Sequence, residues 1–349
     1  MKRRELEMGN VVSRLVAALS VFAMFAVNAQ ADESQGRRIE EAKFVEIGGI
    51  EQWITIRGDD SRNPVLLILH GGPAEPQSPL IQIYAPWEKE FVVVQWDQRG
   101  AGKTFGRYGK GTPDMTVEKM TQDVIDLTNY LRGDLHREKI ILLGHSWGSF
   151  LGVQAVRKHP ELFAAFVGTG QVESWERTVA IQYEYTLDRS REAKNEKAVE
   201  TLMQIGPPPY KDLQQYMGMR RLFNSYMAPT DVAWPQKEAT LYAEQLSKED
   251  LAAYQAGAQF SLGLLAPTMF SMDLTKLGTD FAVPIVIIEG GDDYITPVKA
   301  AKEYFDAIKA PQKRFIPIDG AGHFAAMTHS DAFLEQLVKV VKPIATKGE

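Results

Sequence analysis

The chain has 349 residues, of which 44% are hydrophobic and 24% charged, and its formal net charge is -6. This length and hydrophobic content suffice for one large domain, or for one domain with an inserted subdomain. The sequence has no basic stripe of the kind that nucleic-acid binders need, so we set that function class aside and expect no nucleic-acid partner.

Cysteine and histidine usage limits the chemistry further. The chain has no cysteine, and therefore no disulfide, no thiol nucleophile and no thiolate metal site. None of its six histidines stands in an H-E-x-x-H or H-x-x-E-H spacing, which disfavours a zinc site of that type. We expect neither a bound metal nor another cofactor.

The first thirty-one residues have the layout of a secretory signal peptide. A segment with four basic and two acidic residues is followed by "LVAALSVFAMFAV" (15–27), which is almost entirely apolar. Ala29 and Ala31 then stand at the small-residue positions of an A-x-A cleavage site. The apolar run is shorter than the roughly twenty residues of a membrane span. We therefore expect 1–31 to be removed and the protein to be exported, periplasmic or secreted, with no stable membrane association; an uncleaved anchor is the alternative.

Short apolar runs then alternate with helical patterns. The runs 43–48 and 51–58 alternate apolar and polar residues around a Gly-Gly pair, which predicts an antiparallel hairpin. Six mostly continuous apolar runs follow, as in strands covered on both faces: 65–69, 91–96, 139–144, 163–168, 284–289 and 313–318. Helical patterns occur at 116–132, 147–158, 297–309 and 331–342. The alternation predicts a mostly parallel, doubly wound α/β sheet.

One interval breaks this alternation. More than a hundred residues separate the runs 163–168 and 284–289, and they include helix-like segments at 178–203 and 238–257. A structureless loop of that length is implausible in a compact domain. We therefore predict that 172–272 is an inserted helical cap over one edge of the sheet, and that 32–171 and 273–349 form the two parts of the main domain.

Ser146 lies at the junction of a predicted strand and a predicted helix, in the sequence "LGHSWGSF". Gly144 and Gly148 flank it in the pattern G-x-S-x-G. A tight strand-to-helix turn of this kind, a nucleophile elbow, presents the serine hydroxyl at the top of the sheet beside the positive end of the helix. The sequence therefore predicts that Ser146 is a nucleophile.

A serine nucleophile needs a base, and on such a sheet the chain order is Ser, then Asp or Glu, then His. Three histidines follow Ser146. His323 lies in a glycine-flanked loop directly after the run 313–318, where such sheets keep their sites, and is the predicted general base. We assign His159 and His329 to structural or surface roles.

The orienting acid is expected in the loop "GGDDYITP" after the run 284–289. Asp292 and Asp293 both stand there, and the spacing alone leaves both open. The oxyanion hole needs backbone N–H groups. We predict the amides of Trp147, next to the nucleophile, and Gly72, in the loop "HGGPAEP", with Gly71 as the neighbouring possibility.

Other residues invite narrower expectations. Phe324 is adjacent to the predicted base, and we expect it to line a substrate pocket together with Trp147. His70 precedes the glycines of its loop and is assigned to loop structure. Asp97 and Arg99 are expected to form a structural ion pair or turn behind the site.

Together these motifs resemble the α/β-hydrolase superfamily and, within it, the prolyl iminopeptidase family of serine aminopeptidases. The matching segments are "HGGPA" (70–74), "DQRGAGKT" (97–104), "GHSWGS" (144–149), "GGDDYITP" (290–297) and Gly322-His323. The resemblance selects Asp293 over Asp292 as the acid. It also implies the family's fold, a Ser-His-Asp triad, and an apolar pocket under a helical cap, with no metal requirement.

The sequence departs from that family pattern at three places. Ala74 and His145 each replace a glycine. The family holds the substrate's free amine with glutamates of its cap, but the spacing of Glu173, Glu176 and Glu184 from the predicted nucleophile differs. The amine-binding role is therefore not transferred to them, and we expect solvated helix faces.

The leading hypothesis is an exported serine hydrolase acting on a small molecule or short peptide. By resemblance it is an aminopeptidase of prolyl iminopeptidase type, which releases N-terminal residues. Two alternatives are left open: a carboxylic ester or lactone hydrolase with the same triad, and a non-catalytic small-molecule receptor on a hydrolase fold. The sequence does not predict the oligomeric state.

Overall fold

A single eight-stranded sheet forms the centre of the protein in the computed structural model, which describes residues 36–210 and 212–346. The predicted signal peptide, 1–31, lies outside these ranges. In chain order the strands are β1 (Ile39–Ile47), β2 (Ile50–Gly58), β3 (Val65–Leu69), β4 (Val92–Asp97), β5 (Ile140–His145), β6 (Phe163–Thr169), β7 (Ile285–Gly290) and β8 (Lys313–Ile318).

The strands lie in the order β1-β2-β4-β3-β5-β6-β7-β8. β2 pairs antiparallel with both β1 and β4, and every other neighbouring pair is parallel. The central positions of β3 and β5 place the loops that follow them side by side. The predicted fold class, a mostly parallel α/β sheet, is confirmed.

Helices cover both faces of this sheet. They are α1 (Ile81–Tyr84), α2 (Gly102–Tyr108), α3 (Val117–Asp134), α4 (Trp147–Lys158), α5 (Trp175–Glu192), α6 (Glu196–Ile205), α7 (Leu213–Phe223), α8 (Pro229–Gln245), α9 (Lys248–Met269), α10 (Val298–Ala307), α11 (Ala325–Thr328), α12 (Ser330–Gln336) and α13 (Lys342–Thr346). None of these helices, within the ranges described, is long and apolar enough to cross a bilayer.

Successive residues of the central strands point into two separate hydrophobic cores. Leu67 and Leu142 belong to the core under α3, α4 and α10, whereas Leu66 and Leu143 belong to the core under α1 and α12. Side chains alternate across a strand, so a strand buried on both faces must be apolar at every position. This explains why β3 and β5 read as continuous apolar runs.

Five helices, α5 to α9, lie between β6 and β7 and are called the cap here. The sequence patterns predicted two long helical segments, but the chain of the cap is interrupted more often and forms shorter helices. Asn195 and Ser247 begin new helices, because their side chains accept hydrogen bonds from the backbone N–H groups of Ala198 and Asp250. Such side-chain caps satisfy amides that have no partner within the helix.

The motif "DQRG" after β4 anchors the cap to the sheet. Of the two expected arrangements of Asp97 and Arg99, the ion pair does not form, whereas Arg99 does lie in a turn. Arg99 instead donates to both oxygens of Asp123, at 2.8 and 3.0 Å, and both side chains are fully buried. Asp97 accepts a hydrogen bond of 2.8 Å from the hydroxyl of Tyr254, which lies on α9. The motif therefore supports the cap position rather than the reacting centre.

Candidate active site

Ser146 sits in a strained turn between β5 and α4. Its backbone has φ 54° and ψ -118°, a combination that costs a non-glycine residue free energy and is characteristic of functional turns. A Cβ at Gly144 would collide with the backbone of Gly148, and one at Gly148 would collide with the carbonyl of Leu69. The two glycines are therefore required by close backbone approach around the predicted nucleophile.

His323 and Asp293 lie side by side in the loops after β8 and β7. Nδ1 of His323 is 2.8 Å from Oδ2 of Asp293, and both residues are buried. The other carboxylate oxygen, Oδ1, accepts hydrogen bonds from the backbone amides of Ile295 and Thr296, at 2.8 and 3.0 Å. The carboxylate is thus held in a fixed orientation toward the imidazole. Asp292, the other candidate acid, is exposed.

Ser146 and His323 line the same pocket, and no hydrogen bond joins their side chains in the described part of the chain. A hydrogen bond between nucleophile and base is often long before substrate binds. We therefore expect the Ser146–His323 hydrogen bond to form in the complex with substrate. The structure thus brings together the predicted base and acid, with the predicted nucleophile on the wall of the same pocket.

The electrostatics of the pair favour a charged imidazole. Burial alone would lower the pKa of His323, but the neighbouring charge of Asp293, with smaller effects from Asp231 and Glu75, raises it above its usual range. Burial would raise the pKa of Asp293, but His323 lowers it below its usual range. The pair therefore stabilises the imidazolium that forms when a base accepts a proton.

Glu289 stands behind Asp293 at the end of β7, fully buried. Burial and the neighbouring charge of Asp293 raise its pKa well above its usual range, which favours the neutral form of the carboxyl. One oxygen accepts a hydrogen bond from the backbone amide of Gln171. A neutral carboxyl at this place adds no second negative charge beside the acid. Glu289 follows an apolar run in the sequence, and nothing in that run indicated that its carboxyl would lie beside Asp293.

Asp231, on cap helix α8, supports the loop of the predicted base. Its carboxylate accepts hydrogen bonds from the backbone amides of His323 at 2.9 Å and Phe324 at 3.4 Å, and the residue is buried. A Cβ at Gly322 would collide with this carboxylate, which explains the glycine before the histidine. Sequence analysis missed Asp231, because no spacing rule links the cap to a loop ninety residues later.

The two amides predicted for the oxyanion hole border the pocket. Gly72 and Trp147 both line it, whereas the alternative, Gly71, packs against Ser146 without lining it. Neither the Gly72 nor the Trp147 amide donates a hydrogen bond to another group within 36–210 and 212–346. Gly72 has φ 105°, a conformation that only glycine adopts readily. Both N–H groups are therefore available to a developing negative charge.

The pocket has a volume of about 260 Å³ and lies between the loops of the sheet and the cap helices α5, α7 and α9. Phe324 and Trp147, the two aromatic residues predicted to line it, both do so. Sequence analysis missed two charged residues on its wall, Glu75 from the loop after β3 and Arg220 from α7. Among the described residues, no group of three histidine, aspartate or glutamate side chains is arranged to hold a metal ion.

The family model described as alpha/beta hydrolase fold matches residues 64–330 of this chain. The chain belongs to the alpha/beta hydrolase fold family. A probable aminopeptidase of Bacillus subtilis, YbaC, is 29% identical over 301 residues, which cover 84% of this chain and 94% of that protein. A proline iminopeptidase of Lactobacillus helveticus is 24% identical over 83% of this chain and 93% of its own length.

Solved structures agree on the fold. The proline iminopeptidase of Mycobacterium smegmatis superposes with a TM-score of 0.63 at 18% identity, over 88% of this chain and 100% of that one. The resemblance of this alpha/beta hydrolase to proline iminopeptidases is thus confirmed by its relatives and by its fold.

The two departures from the family motif have local structural roles in this hydrolase. His145, which replaces a glycine, is buried, and burial first and His323 second lower its pKa to about 3. The neutral ring donates from Nε2 to the carbonyl oxygen of His323 at 3.2 Å, which adds a second support for that loop. Ala74 is buried with φ 69°, a conformation that favours the glycine it replaces.

The cap glutamates lie away from the pocket of Ser146. Glu176 and Glu184 are exposed and Glu173 is half-buried, and none of the three lines the pocket in the described structure. Burial raises the pKa of Glu173, and the nearby hydroxyl of Ser174 opposes that shift. An amine-binding role for these three residues finds no geometric support.

Proposed function

We propose that this protein is a serine hydrolase that releases the N-terminal residue from short peptides. One observation carries the proposal: Ser146, on a strained elbow, faces the same pocket as the hydrogen-bonded pair of His323 and Asp293. Nucleophile, base and acid occur in the chain order of alpha/beta hydrolases. Relatives named as aminopeptidases support the choice of reaction.

The proposed reaction proceeds by acyl transfer. Oγ of Ser146 attacks the scissile carbonyl while Nε2 of His323 takes its proton, and Asp293 stabilises the imidazolium. The amides of Gly72 and Trp147 bind the negative oxygen of the tetrahedral intermediate. The intermediate collapses, His323 returns the proton to the leaving amine, and an acyl-enzyme remains. Water, deprotonated by His323, then attacks the acyl-enzyme and frees Ser146.

Glu75 is the group that we propose recognises the free amine. Its side chain is accessible from the pocket and forms no hydrogen bond or ion pair with any residue within the described ranges. Surrounding protein raises its pKa, which the proximity of His323 only partly offsets. The carboxylate of Glu75 is exposed in the free protein and has no partner among the described residues, so it is available to a substrate ammonium group. A plain ester substrate offers no such partner.

Part of the remaining pocket wall is apolar, and hydroxyl and amide side chains make up the rest. Met269, Met272 and Ile295 line it with Phe324 and Trp147. Apolar walls and a small number of polar groups are typical of sites that bind small organic ligands. We therefore propose that the released residue is small and apolar, such as proline or alanine.

Substrate N-acetylation should separate this proposal from an esterase. We expect that acetylating the amine of prolyl or alanyl anilide lowers kcat/KM by at least about tenfold, because the charge-assisted contact to Glu75 is lost. Glu75→Gln should lower the rate for the free-amine substrate and leave a matched nitrophenyl acyl ester within about twofold. Glu184→Gln, at an exposed position on the cap, is the control and should change neither rate.

Steady-state kinetics with both substrate pairs checks this expectation. Equal rates for free and acetylated anilides, or a faster ester reaction that is indifferent to Glu75→Gln, would contradict the aminopeptidase and favour the esterase.

We also propose that the protein is exported and loses residues 1–31. The support is the basic start, the apolar run 15–27 and the A-x-A pattern that ends at Ala31. Mass spectrometry of the protein from periplasmic and culture fractions should find a chain that begins at Asp32. Recovery of the intact chain from the cytoplasmic fraction alone would contradict export.

A further inference from the structure

Arg220 brings a positive charge to the pocket wall opposite the hydrolase loops. It lies on α7, in the cap, and it lines the pocket that Ser146 and His323 also line. Its guanidinium sits over the ring of Phe223, at 4.7 Å from the centroid. Phe223 is fully buried in the small core of the cap, so this contact gives the guanidinium a fixed support.

Among the described residues, no carboxylate pairs with this guanidinium. Within 36–210 and 212–346, Arg220 forms no ion pair and donates no hydrogen bond. By contrast, Arg177 pairs with Glu303 and Arg189 with Glu192 on the cap surface. A half-buried guanidinium on the wall of a pocket, with its donors free, matches a planar oxygen anion, for which arginine is the preferred partner.

The pocket thus offers two unpaired charges of opposite sign on separate elements. Glu75 lies in the predicted oxyanion loop of the main domain, whereas Arg220 lies on the cap, and no ion pair joins them. Had the two side chains neutralised each other, neither would select a ligand. As they stand, the pocket complements a molecule with an ammonium group at one end and a carboxylate at the other.

The size of the pocket limits how far apart those charges can be. Its volume of about 260 Å³ lies below the range of roughly 300–1,000 Å³ of pockets that hold drug-sized ligands. The neighbouring cleft beyond Trp175 and Tyr216 carries the acidic residues Glu176 and Asp212, which would repel a carboxylate. Arg220 is therefore the favourable position for a terminal carboxylate that lies close to the scissile bond.

We propose that the preferred substrate is a free dipeptide, whose C-terminal carboxylate binds Arg220 while the peptide bond lies at Ser146. This inference rests on the proposed aminopeptidase function and narrows its substrate class. A longer peptide would carry its carboxylate past Arg220, and a dipeptide amide would present no charge there. Arg220 is thus assigned as the residue that determines peptide length.

Kinetics with four substrates tests the proposal: Ala-Ala, Ala-Ala amide, Ala-Ala-Ala and alanyl anilide. For the wild-type protein we expect kcat/KM for Ala-Ala to exceed that for the amide and the tripeptide by about tenfold to a hundredfold, as for loss of a charge-assisted hydrogen bond. Arg220→Gln should abolish this preference, and the loss should appear in KM. Arg220→Lys, which keeps the charge but loses the paired donors, should fall in between.

The next residue on the same helix provides the matched control. Arg221 is exposed and does not line the pocket, so Arg221→Gln should keep the dipeptide preference unchanged. Calorimetric binding to Ser146→Ala gives a second readout without turnover. Ala-Ala should bind this variant at least about tenfold more tightly than Ala-Ala amide, and adding Arg220→Gln should remove the difference.

Equal wild-type kcat/KM values for Ala-Ala and its amide, with the anilide still cleaved through Ser146, would overturn the dipeptide proposal and leave the aminopeptidase intact. A dipeptide preference that persists in a folded Arg220→Gln protein would overturn the role of Arg220. Absence of Ser146-dependent cleavage of all four substrates would overturn the proposed function, and the dipeptide proposal with it.

Discussion

Ser146→Ala is expected to lower kcat for aminoacyl anilides by about a millionfold, because loss of the nucleophile removes the acyl-enzyme route. The variant should fold normally, since alanine keeps the Cβ that packs beside Gly71 and tolerates φ 54° as well as serine does. Stopped and steady-state assays of proline and alanine anilides measure the loss, and thermal unfolding checks the fold.

A fluorophosphonate probe provides an independent measurement of the same residue. The wild-type protein should be labelled and Ser146→Ala should not. Ser271→Ala, which changes an exposed hydroxyl, is the matched control and should be labelled and active like the wild type. Unchanged turnover in Ser146→Ala would remove the proposed mechanism, and failure of the wild type to react would revive the non-catalytic receptor.

Asp293→Asn is expected to lower kcat/KM by about ten-thousandfold. The carboxylate of Asp293 accepts the hydrogen bond from Nδ1 of His323 and so leaves Nε2 free to take a proton from Ser146. An asparagine can present an N–H at this place and then holds the imidazole in the opposite tautomer. The neighbouring pair of aspartates supplies the control: Asp292→Asn, at an exposed position, should retain full activity.

The pH dependence of the same variant has a defined sign. In the wild type, burial lowers the pKa of His323, but the charge of Asp293 outweighs burial and the net pKa is raised. Activity is lost as the pH falls through this raised pKa. Without the charge, the protonated imidazole is less stable and its pKa falls. The acid limb of the residual activity of Asp293→Asn should therefore move to lower pH. A limb that stays in place would show that Asp293 does not act on the titrating base.

The sheet could be predicted from the sequence because its pattern is local. A strand buried on both faces is expected to be apolar along its length; β3 satisfies that rule throughout, and β5 and β7 satisfy it until their last residues, which include His145 and Glu289. The elbow at Ser146 could be predicted as well, because G-x-S-x-G is a short motif. Its glycines are needed where atoms of the adjoining turn and strand come too close for a Cβ. The strands depend on their own residues, and the elbow depends on its own motif together with the neighbouring strand β3, whose Leu69 approaches Gly148.

The cap contribution could not be predicted, because it depends on contacts between distant segments. Asp231 and Arg220 stand in ordinary helical sequence, and only the packing of α7 and α8 over the sheet brings them to the pocket. Arg99 illustrates the same limit, since its partner proved to be Asp123 on α3 rather than Asp97. Glu75 could have been found from the sequence, because it is the one acidic residue of the predicted oxyanion loop, a signal that sequence analysis did not use.

Asp231 connects the cap to the loop that carries the predicted base. Because this residue of α8 accepts hydrogen bonds from the amides of His323 and Phe324, any movement that lifted α8 off the sheet would remove those two supports of the base's loop. Displacement of α7 breaks no hydrogen bond to the His323 loop among the residues described. Entry and exit by way of α7 would thus let molecules exchange while the imidazole stays aligned, so consecutive turnovers need no rebuilding of the reactive centre.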